Sequence, residues 1–206
     1  MLRIWGRRNS TNVRKALWCA EELGLDYEQI DAGGAFGVVN DPAFRALNPN
    51  GLVPVVESDG AVIWESNTIV RYLSARYGAG GLWPEDPAAR AKADKWMDWV
   101  TGSLQPAFGP MFVGLVRTPP EKRDPAAIER SFEASARLMA IADAALAKDP
   151  YLGGDHLTMG DIPLGSVAYG WFGLPIERPS LPHLDAWYRG LTERPAYRKG
   201  VMTPLT

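Results

Sequence analysis

Residues 48–77, NPNGLVPVVESDGAVIWESNTIVRYLSARY, change their hydrophobic period in mid-course, and that change decides the fold. Val53 to Glu57 and Ala61 to Glu65 alternate β-branched and polar residues on either side of Ser58-Asp59-Gly60. An Asp-Gly pair between two such runs is a tight-turn signal, so the segment predicts a β-hairpin. After Trp64 the apolar residues Ile69, Val70, Leu73 and Tyr77 recur at helical spacing, with Ser66 at the helix start. A helix that begins directly off a strand presents unpaired N–H groups and a partial positive charge, which suits the carboxylate of a ligand.

Pro54 removes a ladder N–H where the strand should begin, so it marks an edge or a strand start. It is also a candidate for a cis peptide bond, which before proline costs only about 0.5–1 kcal/mol. In that geometry the N–H and C=O of Val53 stand open to pair, strand fashion, with a bound peptide. An ordinary edge proline is the other reading of the same residue.

The chain has 206 residues, enough for one or two domains with a real core. A net charge of −2 with acids and bases interspersed supplies no basic stripe for nucleic acid and no polybasic membrane patch. No apolar run reaches the roughly 18–20 residues of a membrane span, and MLRIWGRRNS lacks the apolar centre of a signal peptide, so the sequence reads as cytoplasmic. The single cysteine excludes an internal disulfide framework, and with two histidines, His156 and His183, no metal site is expected.

Leu2 to Trp5 reads as a strand and Val13 to Leu23 as a helix with Val13, Ala16, Leu17 and Ala20 on one face, ended by Gly24. Tyr27 to Ile30 is a second strand, which the helical crossover makes parallel to the first. A glycine-rich loop, Asp31 to Asp41, leads to a short helix near Pro42 to Leu47, and residues 1–78 form one unit of order β-α-β-α-β-β-α. Gly78 to Ala88 reads as a linker. Residues 88–206 carry only helical periods separated by Pro and Gly, so the second domain is all-α. Its first helix, Ala88 to about Val116, should bend at Pro106 and Pro110. Pro125 to Lys148 opens with Asp124 as N-cap, and Thr158 with Asp161 forms a variant capping box ahead of a buried helix from Ile162 to Trp171. That box is read as a folding device, and Cys19, two turns into a helix without a neighbouring base, as inert core.

NPNGLVPVV, WESNTIVRYL and HLTMGDIPLG stand in an order and spacing that resembles the glutathione S-transferase family over nearly the whole chain, its serine-type theta- and delta-like classes in particular. The resemblance implies a thioredoxin-like α/β domain that binds glutathione as co-substrate, followed by an all-helical domain that contributes the site for a small electrophile, in a homodimer. It implies a cis bond at Pro54, pairing of the tripeptide's cysteinyl part with Val53 beside Leu52, and capture of the γ-glutamyl end by Glu65 and Ser66. Counting back from Leu23-Gly24, Ser10 falls where serine-type members place the residue that activates the thiol. Asn12 is the competitor, because Asn12-Val13 replaces the Pro-Cys that usually follows that serine. Phe108, Met111, Phe112 and Leu115, with Tyr169 and Trp171, are the candidate apolar wall of the electrophile site. The implied reaction is attack of the glutathione thiolate on an electrophilic carbon or a peroxide. A noncatalytic glutathione-binding or protein-interaction module on the same fold is the alternative.

Overall fold

The computed structural model describes all of residues 1–206. Four strands, β1 (Leu2–Trp5), β2 (Tyr27–Ile30), β3 (Val55–Ser58) and β4 (Ala61–Trp64), form one sheet in the order β2-β1-β3-β4. β1 and β2 run parallel, as the intervening helix α1 (Thr11–Glu22) requires, while β3 pairs antiparallel with β1 and β4, with Val55 opposite both Trp5 and Trp64. Asp59 and Gly60 both take positive φ, 48° and 86°, the turn that matches strand twist in a two-residue hairpin. α2 (Pro42–Leu47) and α3 (Ser66–Tyr77) complete a thioredoxin-like mixed sheet with helices.

From Pro87 onward the chain is helical: α4 (Pro87–Trp99), α5 (Gln105–Phe112), α6 (Pro125–Leu146), α7 (Asp161–Gly173), α8 (Pro182–Glu193) and α9 (Pro195–Gly200). The expected bend between Ala88 and Val116 takes a specific form. Val100–Leu104 and Val113–Arg117 wind as π-helix around α5, so the backbone changes its hydrogen-bond register next to Pro106 and Pro110, which have no N–H to give. Asp124 caps α6 through Ala127 N–H at 3.0 Å.

α1 is the element on which the two parts meet. It packs against α3 on one side and against α7 and α9 on the other, so Val13 to Ala20 are all buried, not only the apolar face that the sequence pattern marks. Trp18 meets Tyr197 edge to face at 4.8 Å, and Arg194 binds Glu22 through two bonds of 2.8 and 2.6 Å. Gly6, at the end of β1 with φ 148°, lets the start of α1 lie close: a Cβ there would stand 2.4 Å from Val13 and 3.2 Å from Val53. The N-terminus of α1 and the chain ahead of β3 are thereby held side by side.

Candidate active site

Ser10 is the N-cap of α1, with extended backbone angles (φ −82°, ψ 126°), yet its hydroxyl makes no capping hydrogen bond. Ser10 lines a cavity of about 300 Å³ between the two parts of the molecule. Thr11 and Asn12 line the same cavity from α1, Leu52 and Val53 from the chain ahead of β3, and Gln105, Phe108 and Phe112 from α5. The Val53–Pro54 peptide bond is cis, and no hydrogen bond within the chain uses the N–H or C=O of Val53. An extended ligand can pair with both.

Asn12 is differently engaged. Its Oδ1 accepts from Gln105 Nε2 at 2.9 Å and from the Ser66 hydroxyl at 3.4 Å. Lys15, buried one turn further along α1, donates to Gln105 Oε1 at 3.0 Å and to Ser66 Oγ at 3.4 Å. These four side chains tie α1, α3 and α5 together beneath the start of α3. Burial pushes the Lys15 ammonium down to about 8, against a smaller upward pull from the Glu65 carboxylate. Glu65 is exposed ahead of α3 with φ 71° and ψ 113°, a sparsely populated conformation for a residue with a Cβ. Such backbone costs of order 1–3 kcal/mol and gathers at ligand clamps. Here it sets an exposed carboxylate beside the free N–H groups of α3.

A family model for the glutathione S-transferase N-terminal domain matches residues 1–75, and one for the glutathione S-transferase C-terminal domain matches residues 94–195. The chain belongs to the glutathione S-transferase family. It is 50% identical to glutathione S-transferase GstB of Escherichia coli strain K12, with all of both chains covered, and 30% identical to glutathione S-transferase 3 of Zea mays over 97% of this chain and 93% of that one. Among solved structures, the theta class glutathione S-transferase of Xanthomonas axonopodis pv. citri with glutathione bound superposes with a TM-score of 0.97 at 58% identity, covering 100% of this chain and 99% of that one.

Within this glutathione S-transferase the candidate residues separate into groups. Ser10, Asn12, Leu52, Val53, Phe108 and Phe112 meet around one cavity, and Ser66 reaches it through Asn12. Met111 and Leu115, expected on the electrophile wall, line a separate cavity with Ile128, Phe132 and Ile176. Positions 108, 111, 112 and 115 fall on one broad helical stripe, and its two sides line different cavities. Trp171 stacks on Phe132 at 5.9 Å, and Tyr169 lies under the Arg14 guanidinium at 4.9 Å, so neither joins the wall; Val167 of α7 lines the cavity instead.

Cys19 is fully buried and its thiol is pushed up to about 12 by desolvation, as unreactive core should be. Asp161 is also fully buried. It accepts from Leu152 N–H at 2.9 Å, Thr158 N–H at 3.0 Å, Thr158 Oγ1 at 3.2 Å and Trp187 Nε1 at 3.3 Å, a folding device away from the cavity. The sequence pattern left Lys15, Gln105, Arg7 and Arg117 unmarked. For Lys15 there was a signal: a lysine inside a helix, followed at once by the unbroken apolar run Ala16-Leu17-Trp18-Cys19-Ala20.

Proposed function

We propose that this glutathione S-transferase binds glutathione with the cysteinyl backbone along Val53 beside Leu52 and the γ-glutamyl group at Glu65 and Ser66. Ser10 then donates its hydroxyl hydrogen to the sulfur, and the thiolate attacks a small electrophile seated against Phe108 and Phe112. The observation that carries the assignment of Ser10 is its place at the head of a helix that lines the cavity, with a hydroxyl that has no partner in the chain. A donor there favours thiolate over a thiol whose ordinary pKa is about 8.5, and binding the thiol next to its target supplies proximity. Two helix starts bring their N–H groups to the same region, which adds to the stabilisation of negative charge. The Glu65 carboxylate complements the α-ammonium of the γ-glutamyl group, while Ser66 offers N–H and hydroxyl to its carboxylate.

In this reading residues 1–78 hold the co-substrate and residues 88–206 supply the electrophile wall. Homodimeric assembly, a cytoplasmic location and a part in detoxification accompany family membership, and no helix is long and apolar enough to cross a membrane. Conjugation measured over a panel of aryl halides, enals and a hydroperoxide, with calorimetry of glutathione binding to Ser66→Ala, tests the proposal. Turnover on at least one electrophile and a tenfold or greater loss of affinity in Ser66→Ala are expected. Glutathione binding without any turnover across the panel would favour the noncatalytic module.

A further inference from the structure

The cavity beside Ser10 is walled by aromatic rings, but its two charged lining residues are both arginines, Arg7 and Arg117, and no carboxylate lines it. Neither arginine pairs with an aspartate or a glutamate. Arg7 gives Nη1 to Asn9 Oδ1 at 2.9 Å, and Arg117, exposed at the end of the π-helical turn after α5, gives Nε to the Thr206 backbone oxygen at 3.3 Å and lies 5.3 Å from the centre of the Phe112 ring. Each guanidinium has five N–H donors, so most of the fork stays free. Arg14, buried behind them, is likewise without a carboxylate and bonds only to Thr203 and to the carbonyl oxygen of Pro204. Desolvation and the nearby Arg117 both lower the pKa of Arg7, the mark of positive charges left uncompensated on one another's field. Guanidinium groups with free donors lining one partly apolar cleft suit the recognition of planar oxyanions.

We infer that the electrophile of this enzyme carries an anionic group, a carboxylate on a small aromatic or aliphatic halide, which Arg7 and Arg117 clamp while its reactive carbon faces the thiol beneath Ser10. This rests on the glutathione-transfer reading above and narrows its substrate class. Positive charge at this place also offsets the repulsion between an anionic substrate and the thiolate, which a neutral wall would leave in full. For an aryl chloride the step balances without any further reactant: the thiolate sulfur forms the C–S bond, the C–Cl bond breaks, and chloride leaves with its electron pair.

The other source of a carboxylate at these arginines is the glycyl end of glutathione itself, and the test separates the two. Calorimetry would compare glutathione, S-(4-carboxybenzyl)glutathione and S-(4-carbamoylbenzyl)glutathione, conjugates of matched shape that differ in charge, on the parent enzyme, Arg117→Ala and Arg7→Gln. The carboxyl conjugate is expected to bind the parent at least tenfold more tightly than the carbamoyl one, with that ratio falling below threefold in each variant. Turnover of 4-chloro-3-nitrobenzoate and 4-chloro-3-nitrobenzamide, each corrected for its uncatalysed rate, should show the same preference and the same loss. Equal affinity of the two conjugates for the parent, or a ratio that the variants leave intact, would overturn the inference alone. A variant that loses affinity for glutathione and for both conjugates in equal proportion would assign the arginines to the glycyl carboxylate and also overturn it. Failure of the parent to bind glutathione at all would remove the reading beneath it.

Discussion

Replacing Ser10 by alanine separates two roles that a serine at a helix start can play. If the hydroxyl capped α1, its loss would cost about 0.5–2 kcal/mol of stability. The hydroxyl makes no such bond, so Ser10→Ala should unfold within about 0.5 kcal/mol of the parent in urea, as a side chain without a partner does. A hydrogen bond to a charged acceptor is worth about 1.5–3 kcal/mol, and one pKa unit corresponds to 1.36 kcal/mol, so the bound glutathione thiol should rise by roughly 1–2 units. The assay is titration of thiolate absorbance in the enzyme–glutathione complex, with kcat/KM followed over the same pH range.

Asn12→Ala provides the contrast. It strips partners from Gln105 Nε2 and the Ser66 hydroxyl, so stability should fall by about 1–3 kcal/mol, the cost of donors left unpaired, while the thiol titration stays near the parent's. Thr11→Val is the necessary control, since Thr11 also lines the cavity. A titration unmoved in Ser10→Ala and shifted in either of the other two would refute the assignment to Ser10 and give the role to the residue that moves it.

Asp161→Ala leaves Leu152 N–H, Thr158 and Trp187 Nε1 unpaired in the core, so a loss on the order of 3–5 kcal/mol in urea unfolding is expected, at unchanged glutathione affinity. Burial raises its carboxyl from 3.8 to about 6, so between these values the folded chain binds more protons than the unfolded one. Stability should therefore fall as pH rises from about 4 to about 6, by on the order of 2–3 kcal/mol, and the slope should vanish from the Asp161→Asn curve. Lys15→Met removes a buried cation with two modest bonds, so stability should change by less than about 1 kcal/mol, as buried charges replaced by apolar groups of similar volume often show. Glutathione affinity, read by calorimetry, should drop severalfold as Ser66 and Gln105 lose their common partner. In Gly170→Ala a Cβ would stand 3.0 Å from the Phe108 ring, so the ring should shift into the cavity and raise KM for bulky electrophiles at least threefold, with KM for glutathione unmoved.

What could be read from residue order was whatever rests on local chemistry. The Asp59-Gly60 turn, the period change after Trp64, the cap at Asp124 and the Thr158-Asp161 box each follow from backbone demands within a few residues, and each stands in the structure where the pattern put it. The β1-α1-β2 order likewise made β1 and β2 parallel before any contact was known. Glycine, proline and the capping side chains impose these choices on the backbone whatever the rest of the chain does.

The site itself depended on which faces meet. An amphipathic reading of α1 marked Val13, Ala16, Leu17 and Ala20, but its other sides are covered too, Arg14 lying over Tyr169 of α7 and Lys15 bonding to Ser66 of α3 and Gln105 of α5, so both are buried and become parts of polar networks. Met111 and Leu115 looked as suited to a substrate wall as Phe108 and Phe112, since apolarity does not say which side of a helix faces a cleft; packing of α5 on α6 turned them away. Ser10 and its competitor Asn12, two residues apart, differ in surroundings that residue order could not show: Gln105, distant in sequence, and Ser66 both donate to the Asn12 Oδ1, while the Ser10 hydroxyl has no partner in the chain. Sequence alone determined the elements, their order and the family, because these follow from local backbone preference and motif spacing. Which hydroxyl stays unpaired and which arginines stay without a carboxylate were decided only when α1, α3, α5 and α7 closed on one another, because a polar group's availability depends on every neighbour that folding brings to it.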